Sequence, residues 1–269
     1  MLIFRIIATK IRNNLPSTQY SNSFSLIFQL ALINIRIRYK STYLGLLWAA
    51  IEPLLYFIVL YIVFTSIRSR SDDFAIYLIT GIMFFHIFSR GTIGGLISLT
   101  TNSSILQSIK VNKEIFPIVA TTAAGILAFV SVGVFLGLFP VFQFMPSWTI
   151  VLLPIPLLLA IFLILGLSYF LSVVNVFVRD IQNLWQVFVH FFLFFSPIFW
   201  TIEEASGILL NIHAINPLGQ LIELSHKLVT GNQIPPLNDW LYATSLVAVV
   251  FFIGYITFHK LENKITEKI

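Results

Sequence analysis

Six long apolar runs limit the folds that this sequence can adopt. A bilayer core about 30 Å thick is crossed by roughly 20 apolar residues in helical conformation. Runs of about that length cover residues 43–67, 74–99, 115–139, 148–178, 181–200 and 240–258. Hydrophobic residues make up 58% of the chain and charged residues only 10%, a balance that a water-soluble domain does not have. The sequence therefore predicts an all-α integral membrane protein with six transmembrane helices.

Two pairs of residues are expected to shape the helices of the fourth and fifth runs. Pro154 and Pro156 lie near the start of the fourth run, where proline is expected to bend the helix. Arg179 and Asp180 are all that separates the fourth run from the fifth. Because a charged pair costs much less at a membrane interface than at mid-membrane, we expect a tight turn here between two separate helices.

Positively charged residues are concentrated in alternate connections of the chain. Twelve Lys and Arg residues lie before the first run, between the second and third, between the fourth and fifth, and after the sixth, against three in the other connections. The positive-inside rule then places both termini in the cytoplasm. No removable signal peptide is expected, because the N-terminus lacks a long apolar core followed by a cleavage site.

The segments outside the runs complete the predicted organisation. Residues 1–42 form an N-terminal region, residues 43–259 one six-span domain and residues 260–269 a cytoplasmic tail. Residues 24–39 combine bulky apolar side chains with a basic end, which predicts an amphipathic helix in the cytoplasmic interface. A helix packed on the rest of the protein is the alternative.

The segment from Thr201 to Asp239 is too apolar for a flexible linker and too interrupted for a span. We expect two short helices that dip into the outer leaflet. A break between them is predicted at Asn216–Pro217, because a residue before proline is disfavoured in helical conformation.

The sequence lacks the residues of several kinds of chemistry. No glycine is followed by lysine, so the phosphate loop G-x-x-x-x-G-K-[ST] does not occur, and a partner must bind ATP and its Mg²⁺. There is no cysteine, which excludes disulfides and thiol catalysis. The five histidines are scattered without the spacing of metal ligands. We therefore predict no metal, no cofactor and no catalytic residue in this chain, and no nucleic-acid partner.

Ionisable residues inside the apolar runs are the first candidates for a functional site. Glu52, directly before Pro53 in the first run, and Arg90, in the middle of the second, are the two such residues. Burial of a charge in hydrocarbon costs about 2.5 to 3.5 kcal/mol even on the lenient insertion scale. Either Glu52 caps the proline break or pairs with Arg90 inside the bundle, or these residues act directly in transport.

The fifth run is rich in aromatic residues. It reads WQVFVHFFLFFSPIFW over residues 185–200, with phenylalanines on every side of a helix. Aromatic faces suit the passage of sugar rings, whose CH faces stack without fixed hydrogen bonds. Lipid contact and ordinary helix packing are the alternative explanation.

Four stretches of the chain carry, in order, the pattern of one known family. They are RIRYKSTYLGLLWAAIEPLL at the start of the first span (residues 36–55), NSSILQSIKVNKEIFPI before the third span (residues 102–118), VRDIQNLW with SPIFW (residues 178–185 and 196–200), and NPLGQLIELSHKLV (residues 216–229). Together they resemble the permease subunits of polysaccharide-exporting ABC transporters, the Wzm, KpsM and TagG group of the ABC-2 superfamily. The second stretch is similar to the family's cytoplasmic segment, the third to its Arg-Asp turn and proline ending, and the fourth to its Asn-Pro motif, although the family often has Arg where this chain has Lys227.

The resemblance implies a homodimer of six-span subunits in the bacterial cytoplasmic (inner) membrane, paired with two copies of a separate ATPase. The complex would export a lipid-linked polysaccharide of the O-antigen (lipopolysaccharide), capsule or teichoic-acid type. A short amphipathic helix within residues 102–114 would be the coupling helix, flanked by the N-terminal helix and the Arg179–Asp180 turn. The two short helices before the last span would be outer gate helices.

The same resemblance suggests residues for each role. The expected ATPase-coupling residues are Asn102, Ser104, Gln107, Lys110, Lys113, Glu114, Arg179 and Asp180. The expected residues of the substrate path are Tyr39, Tyr43, Trp48, Tyr56, Trp185, Phe188, Phe192 and Phe195. The expected gate region includes Glu203, Glu204, Asn216 and Pro217.

Two other functions fit parts of the pattern. An ABC-2 exporter of a small lipid or drug would have the same architecture, but the Asn-Pro and Arg-Asp motifs argue against it. A membrane enzyme that acts on lipid-linked sugars would need clustered acidic or histidine residues in a loop. The longest loop offers Glu203, Glu204, His213, Glu223 and His226 without such spacing. We therefore predict a transport subunit and not an enzyme.

Overall fold

The computed structural model describes residues 23–40, 43–67, 73–108 and 112–268. Within these ranges every regular element is a helix, in agreement with the all-α prediction. The α-helices are α1 (Ser23–Tyr39), α2 (Trp48–Ile67), α3 (Phe74–Leu96), α4 (Ser98–Thr101), α5 (Ser103–Ser108), α6 (Ile115–Leu138), α7 (Pro154–Phe177), α8 (Ile181–Phe195), α9 (Ile208–Ile215), α10 (Pro217–Val229) and α11 (Leu237–Lys268). Short 3-10 turns cover Gly45–Leu47, Trp148–Leu152 and Ile202–Glu204.

In the part of the chain that the structure describes, five helical segments are long and apolar enough to cross a bilayer. They are Gly45–Ile67, Phe74–Leu96, Ile115–Leu138, Trp148–Phe177 and Leu237–Ile265. They correspond to the first four predicted spans and the sixth. The chain is therefore a multi-pass membrane protein built from helices.

The predicted fifth span, residues 181–200, contains a shorter helix than expected. α8 ends at Phe195 after 15 residues, which is about 22 Å of helix against a hydrocarbon thickness of about 30 Å. The helix stops there because the residue before a proline is disfavoured in helical conformation. Ser196, which precedes Pro197, is extended, with φ −103° and ψ 149°. Residues 196–200 continue the chain without helix.

Pro154 and Pro156 lie where a 3-10 turn is followed by the α-helix of the fourth span. α7 has Pro154 as its first residue, where the missing N–H has no helical acceptor to lose and the fixed φ suits the helix. The 3-10 turn Trp148–Leu152 precedes it within the same span. The prolines therefore mark a change of helix type near the start of the span, and a bend there stays a prediction.

α3 is the central helix of the bundle, and nearly all of its residues are buried. It packs against α2, α6, α7, α8 and α10. Its glycines let neighbouring helices approach closely, as small residues do in membrane bundles. A Cβ atom on Gly95 would lie 1.9 Å from the Oγ atom of Ser168 on α7. Substitution of Gly95 would therefore push α3 and α7 apart.

α7 and α11 pack backbone to backbone. A Cβ atom on Gly254 of α11 would lie 1.9 Å from the carbonyl oxygen of Gly166 on α7. A Cβ atom on Gly166 would lie 2.5 Å from the Cα atom of Phe251. The two helices therefore form one tightly joined pair.

α1 packs with one side on α6. Ala31 and Ile35 are buried there with Val119, Ala123 and Leu127 of α6. On other sides of α1, Arg36, Ile37 and Arg38 are exposed. The contact with α6 matches the alternative of a helix packed on the rest of the protein. The exposed basic residues are compatible with a position in the membrane interface as well.

Charged residues distinguish the two ends of the bundle. The end that holds α4, α5, the start of α6 and the end of α11 is termed the basic end. Basic side chains there are Arg36, Arg38, Lys113, Arg179, Lys260 and Lys264. The opposite end holds the start of α3 together with α9 and α10, which join residues 196–204 to the last long helix.

Candidate functional site

A charge pair lies inside the bundle, between α2 and α3. The Nη2 atom of Arg90 is 2.6 Å from the Oε2 atom of Glu52. The Nη1 atom of Arg90 donates a hydrogen bond to the carbonyl oxygen of Ala49 at 3.1 Å. Pro53 has no N–H, so the Ala49 carbonyl four residues earlier lacks its helical donor. Arg90 therefore both pairs with Glu52 and fills the break that Pro53 leaves in the helix.

Two aromatic side chains complete the surroundings of Glu52. The Nδ1 atom of His86 lies 3.8 Å from the Oε1 atom of Glu52, and the ring of Tyr56 packs edge-on against His86 at 4.9 Å. His86 and Arg90 are one helical turn apart on α3, as Glu52 and Tyr56 are on α2, so the two pairs face each other. The Glu52 side chain is 48% exposed, whereas that of Arg90 is 12% exposed and that of His86 4%. A carboxylate thus faces outward from the second turn of α2.

The expected path residues divide into two groups. Tyr43, Trp48, Tyr56 and Phe188 are exposed at the surface of the chain. Tyr39, Trp185, Phe192 and Phe195 are at least partly buried. Tyr39 packs with the cluster between α1 and α6.

Trp185 and Phe192 hold α8 against α3. The Trp185 Nε1–H donates to the Oγ1 atom of Thr92 at 3.1 Å, and the Phe192 ring lies 5.1 Å from that of Phe88. Exposed Phe191 and Phe194 extend the outer side of the same helix. The outer side of α8 and the exposed side of α2 therefore flank α3 at the position of the charge pair.

The expected coupling segment, residues 102–114, contains the short helix α5. Asn102 donates from Nδ2 to the carbonyl oxygen of Ser98 at 2.8 Å and joins α4 to α5. Ser104 and Gln107 lie on α5, and Lys110 lies outside the described residues. Lys113 and Glu114 precede α6.

Arg179 and Asp180 form the turn between α7 and α8, as predicted, and both are exposed. They are therefore accessible at the basic end, where α4 and α5 also lie. Asn175, one turn before the end of α7, donates from Nδ2 to the carbonyl oxygen of Leu96 at 3.2 Å. This bond fastens the end of α3 to α7.

One group of side chains at the basic end could hold a cation. Ligand atoms of Glu114, His259 and Glu262 all lie within 4.8 Å of one another. The Nε2 atom of His259 faces Glu114 at 3.0 Å, while Nδ1 faces Glu262 at 3.4 Å. These three side chains therefore link the start of α6 to α11, and the absence of a metal ion stays a prediction.

The expected gate region lies at the opposite end. Asn216 separates α9 from α10, and Pro217 is the first residue of α10. The Nδ2 atom of Asn216 donates to the Oγ atom of Ser196 at 2.9 Å and to the carbonyl oxygen of Phe195 at 3.3 Å. The break between the two short helices is thus tied to the end of α8.

Glu203 and Glu204 lie on a 3-10 turn before α9. The Glu204 side chain accepts a hydrogen bond from the backbone N–H of Thr201 at 3.2 Å and completes a capping box. Both glutamates line a cavity of about 540 Å³ that Tyr77 and His226 also border. These acidic side chains therefore have a structural role at the rim of an open, partly polar cavity.

A buried polar network connects α9, α10 and α11. Glu223 contacts the Nε2 atom of His213 at 3.0 Å and the Nζ atom of Lys227 at 3.0 Å. Lys227 also donates to the Oδ2 atom of Asp239 at 2.8 Å. Sequence reasoning missed this network, because its partners are 10 to 12 residues apart across a helix break.

Electrostatic interactions in this network stabilise the charged forms of Glu223 and Lys227. Burial alone would raise the pKa of Glu223, but hydrogen bonds from His213 and Lys227 outweigh it and lower that pKa. Burial alone would lower the pKa of Lys227, but its bonds to Asp239 and Glu223 raise it. Close by, burial lowers the pKa of His226 to about 3, against the opposing effect of its hydrogen bond with the Tyr77 carbonyl.

Comparison with known proteins places this arrangement in a family. Residues 25–228 match the family model described as ABC-2 type transporter. The chain is 22% identical over 250 residues to the O-antigen export system permease protein RfbA of Myxococcus xanthus, covering 91% of this chain and 95% of that protein. It is 24% identical to an RfbA protein of Klebsiella pneumoniae with the same coverage. It is 25% identical over 239 residues to the polysialic acid transport protein KpsM of Escherichia coli, covering 87% and 92%. The chain therefore belongs to the ABC-2 type transporter family.

Proposed function

We propose that this chain is the transmembrane permease subunit of an ATP-driven exporter that moves a lipid-linked polysaccharide across the bacterial cytoplasmic membrane. Its similarity to export permeases of O-antigen and to a polysialic acid transport protein, over nearly the whole chain, supports this substrate class. The chain lacks a phosphate-binding loop, so two copies of a separate ATPase subunit would bind and hydrolyse ATP.

The structural support for this proposal is the half-exposed side chain of Glu52. Because a charge in contact with hydrocarbon is costly, the surface of α2 around Glu52 should face water, substrate or a second copy of the chain. α2 is mostly exposed in the single chain and presents Trp48 and Tyr56 beside Glu52. In a homodimer, α2 of each subunit would line a hydrated path. Water in this path would solvate Glu52, and Trp48 and Tyr56 would offer aromatic faces to sugar rings.

The proposed topology has six spans and both termini in the cytoplasm. α8 would cross together with residues 196–200, because its 15 helical residues alone are too short. The basic end would be cytoplasmic by the positive-inside rule. α5 would then contact the ATPase as a coupling helix, and α9 and α10 would act as gate helices at the outer exit.

Depletion of this protein in its host tests the proposal. We expect loss of the surface polysaccharide and accumulation of its lipid-linked precursor on the cytoplasmic face of the membrane. If the precursor is never made, a membrane enzyme is the better interpretation. If surface glycan and precursor are both normal, the substrate is a smaller lipid or drug.

Complementation with single variants tests the path itself. Glu52→Gln keeps the shape and removes the charge, so we expect export to fall about tenfold or more while the protein stays in the membrane. The matched control is Phe162→Ala on the exposed side of α7, away from the charge pair. Equal export by the two variants would contradict a path at Glu52.

A further inference from the structure

Two residues expected to face an ATPase are bound within the chain. Lys113 donates from Nζ to the carbonyl oxygen of Glu262, and the Oε1 atom of Glu114 lies 3.0 Å from the Nε2 atom of His259. Both partners lie on α11, in the part that follows the predicted last span. Lys113 and Glu114, at the end of the coupling segment, therefore both have partners on α11.

α11 is much longer than a membrane crossing requires. It has 32 residues, whereas roughly 20 cross the hydrocarbon. The additional turns carry His259 and Glu262 and continue past Ile265 at the basic end. A helix extended in this way has a face available for the segment between α3 and α6.

His259 is the centre of the contact. Its Nε2 atom faces the Oε1 atom of Glu114 at 3.0 Å, and its Nδ1 atom faces the Oε2 atom of Glu262 at 3.4 Å. The Tyr255 ring packs edge-on against the imidazole at 4.2 Å and limits its rotation. The imidazole of His259, which lies between two carboxylates, thus joins the start of α6 to α11.

A hydrophobic cluster supports this bridge. Leu99 of α4, Leu106 of α5 and Tyr169 of α7 are buried in one cluster with Phe258 and Ile265 of α11. Leu106 is the buried anchor of α5, the helix expected to couple to the ATPase. Since α7 and α11 pack backbone to backbone at Gly166 and Gly254, the cluster extends into the membrane bundle.

We infer that the end of α11 is the element that positions the coupling segment, with His259 and Glu262 as its positioning residues. A force applied to α5 would pass through the Leu106–Ile265 cluster and the His259 bridge to the α7–α11 pair. This inference rests on the proposed function only in naming an ATPase as the source of that force.

Cross-linking tests the contact without reference to export. The chain has no cysteine, so Gln107→Cys with Lys264→Cys, at exposed positions next to Leu106 and Ile265, introduces a single pair for a short bis-maleimide in native membranes. We expect efficient cross-linking in the otherwise unchanged chain and an about fivefold lower yield with His259→Ala, the size of a lost side-chain contact. Asn263→Ala, exposed on the same turns of α11, is the matched control and should cross-link as the parent does. An unchanged yield with His259→Ala would overturn the inference.

Reconstitution of the full complex tests the positioning role. With His259→Ala we expect the ATPase to assemble and hydrolyse ATP, while the amount of glycan exported per ATP falls about fivefold or more. His259→Lys should restore much of this ratio, because an ammonium group can contact the same two carboxylates. A ratio equal to that of Asn263→Ala would overturn the inference. If the parent exports no glycan, the proposed function fails, and the cross-linking result still decides whether α11 holds α5.

Discussion

The Nη1 atom of Arg90 lies 3.1 Å from the carbonyl oxygen of Ala49, the acceptor that Pro53 deprives of its helical donor. In a membrane bundle, a freed backbone carbonyl must find another donor inside the protein. Arg90 supplies it and keeps a second nitrogen for Glu52 at 2.6 Å. The proline break and the charge pair are therefore one structural unit. Glu52 pairs with Arg90, which was one of the roles considered for it, whereas Arg90 and not Glu52 fills the break at Pro53.

Replacement of Arg90 should lower the free energy of unfolding less when Pro53 is also replaced. Arg90→Met should lower the free energy of unfolding in detergent by about 2 kcal/mol, because both the Ala49 carbonyl and Glu52 lose their partner. Pro53→Ala restores a backbone N–H four residues after Ala49. In that background the loss from Arg90→Met should be smaller by about 1 kcal/mol. Additive losses in the double variant would show that Arg90 does not fill the break.

Two phenylalanines of α8 should respond differently to truncation. Phe188→Ala removes an exposed ring, so we expect unchanged thermal stability and reduced glycan export. Phe192→Ala removes a ring that packs 5.1 Å from that of Phe88, so we expect about 2 kcal/mol lower stability. Thermal unfolding of both purified variants, with export measured in cells, checks the pair. The path assignment fails if Phe188→Ala exports normally.

Asn216 should matter through its side-chain donor. Asn216→Ala removes bonds to Ser196 and Phe195 and should lower the free energy of unfolding by about 1 to 2 kcal/mol. Asn216→Asp keeps the shape but has no donor, so its loss should be similar. Chemical unfolding in detergent measures both variants. A stable Asp variant would mean that shape, and not donation, holds the break at this position.

Apolar run lengths predicted most of the helices but not all of their ends. α11 extends ten residues beyond the expected limit at 258, because His259 and Glu262 find partners across the bundle. α8 ends five residues early, because Pro197 acts locally. The length of an apolar run indicates only whether a segment can lie in lipid. It indicates neither the contacts that extend α11 nor the local effect of Pro197.

Part of the candidate site could also be predicted from the sequence. Glu52 and Arg90 were recognisable because charge is rare in an apolar run, and the structure brings them together. Aromatic composition did not distinguish exposed Phe188 from Phe192, since α8 has phenylalanine on every side. Lys113 and Glu114 were recognised as a pair of charges, but their partners on α11 depend on tertiary packing.

Acid should destabilise the protein partly through His226. Burial lowers its pKa to about 3, below the value of about 6.5 of an unfolded histidine. Between these values the unfolded chain binds a proton that the folded chain does not, so this contribution to stability is complete above pH 6.5 and is lost as the pH falls toward 3. From pH 7 to pH 5 the loss should be about 2 kcal/mol.

The glutamine variant of His226 isolates this effect. His226→Gln cannot titrate but can still donate to the Tyr77 carbonyl, so its stability should change less between pH 7 and pH 5 than that of the parent. The stabilisation that comes with the lowered pKa of Glu223 is present above the ordinary pKa of a glutamate and is lost as the pH falls below it, so it changes little between pH 7 and pH 5. His190→Gln, an exposed histidine on α8, is the matched control and should keep the parental pH dependence. Equal pH dependence of the parent and His226→Gln in thermal unfolding would mean that His226 is not held neutral in the folded protein.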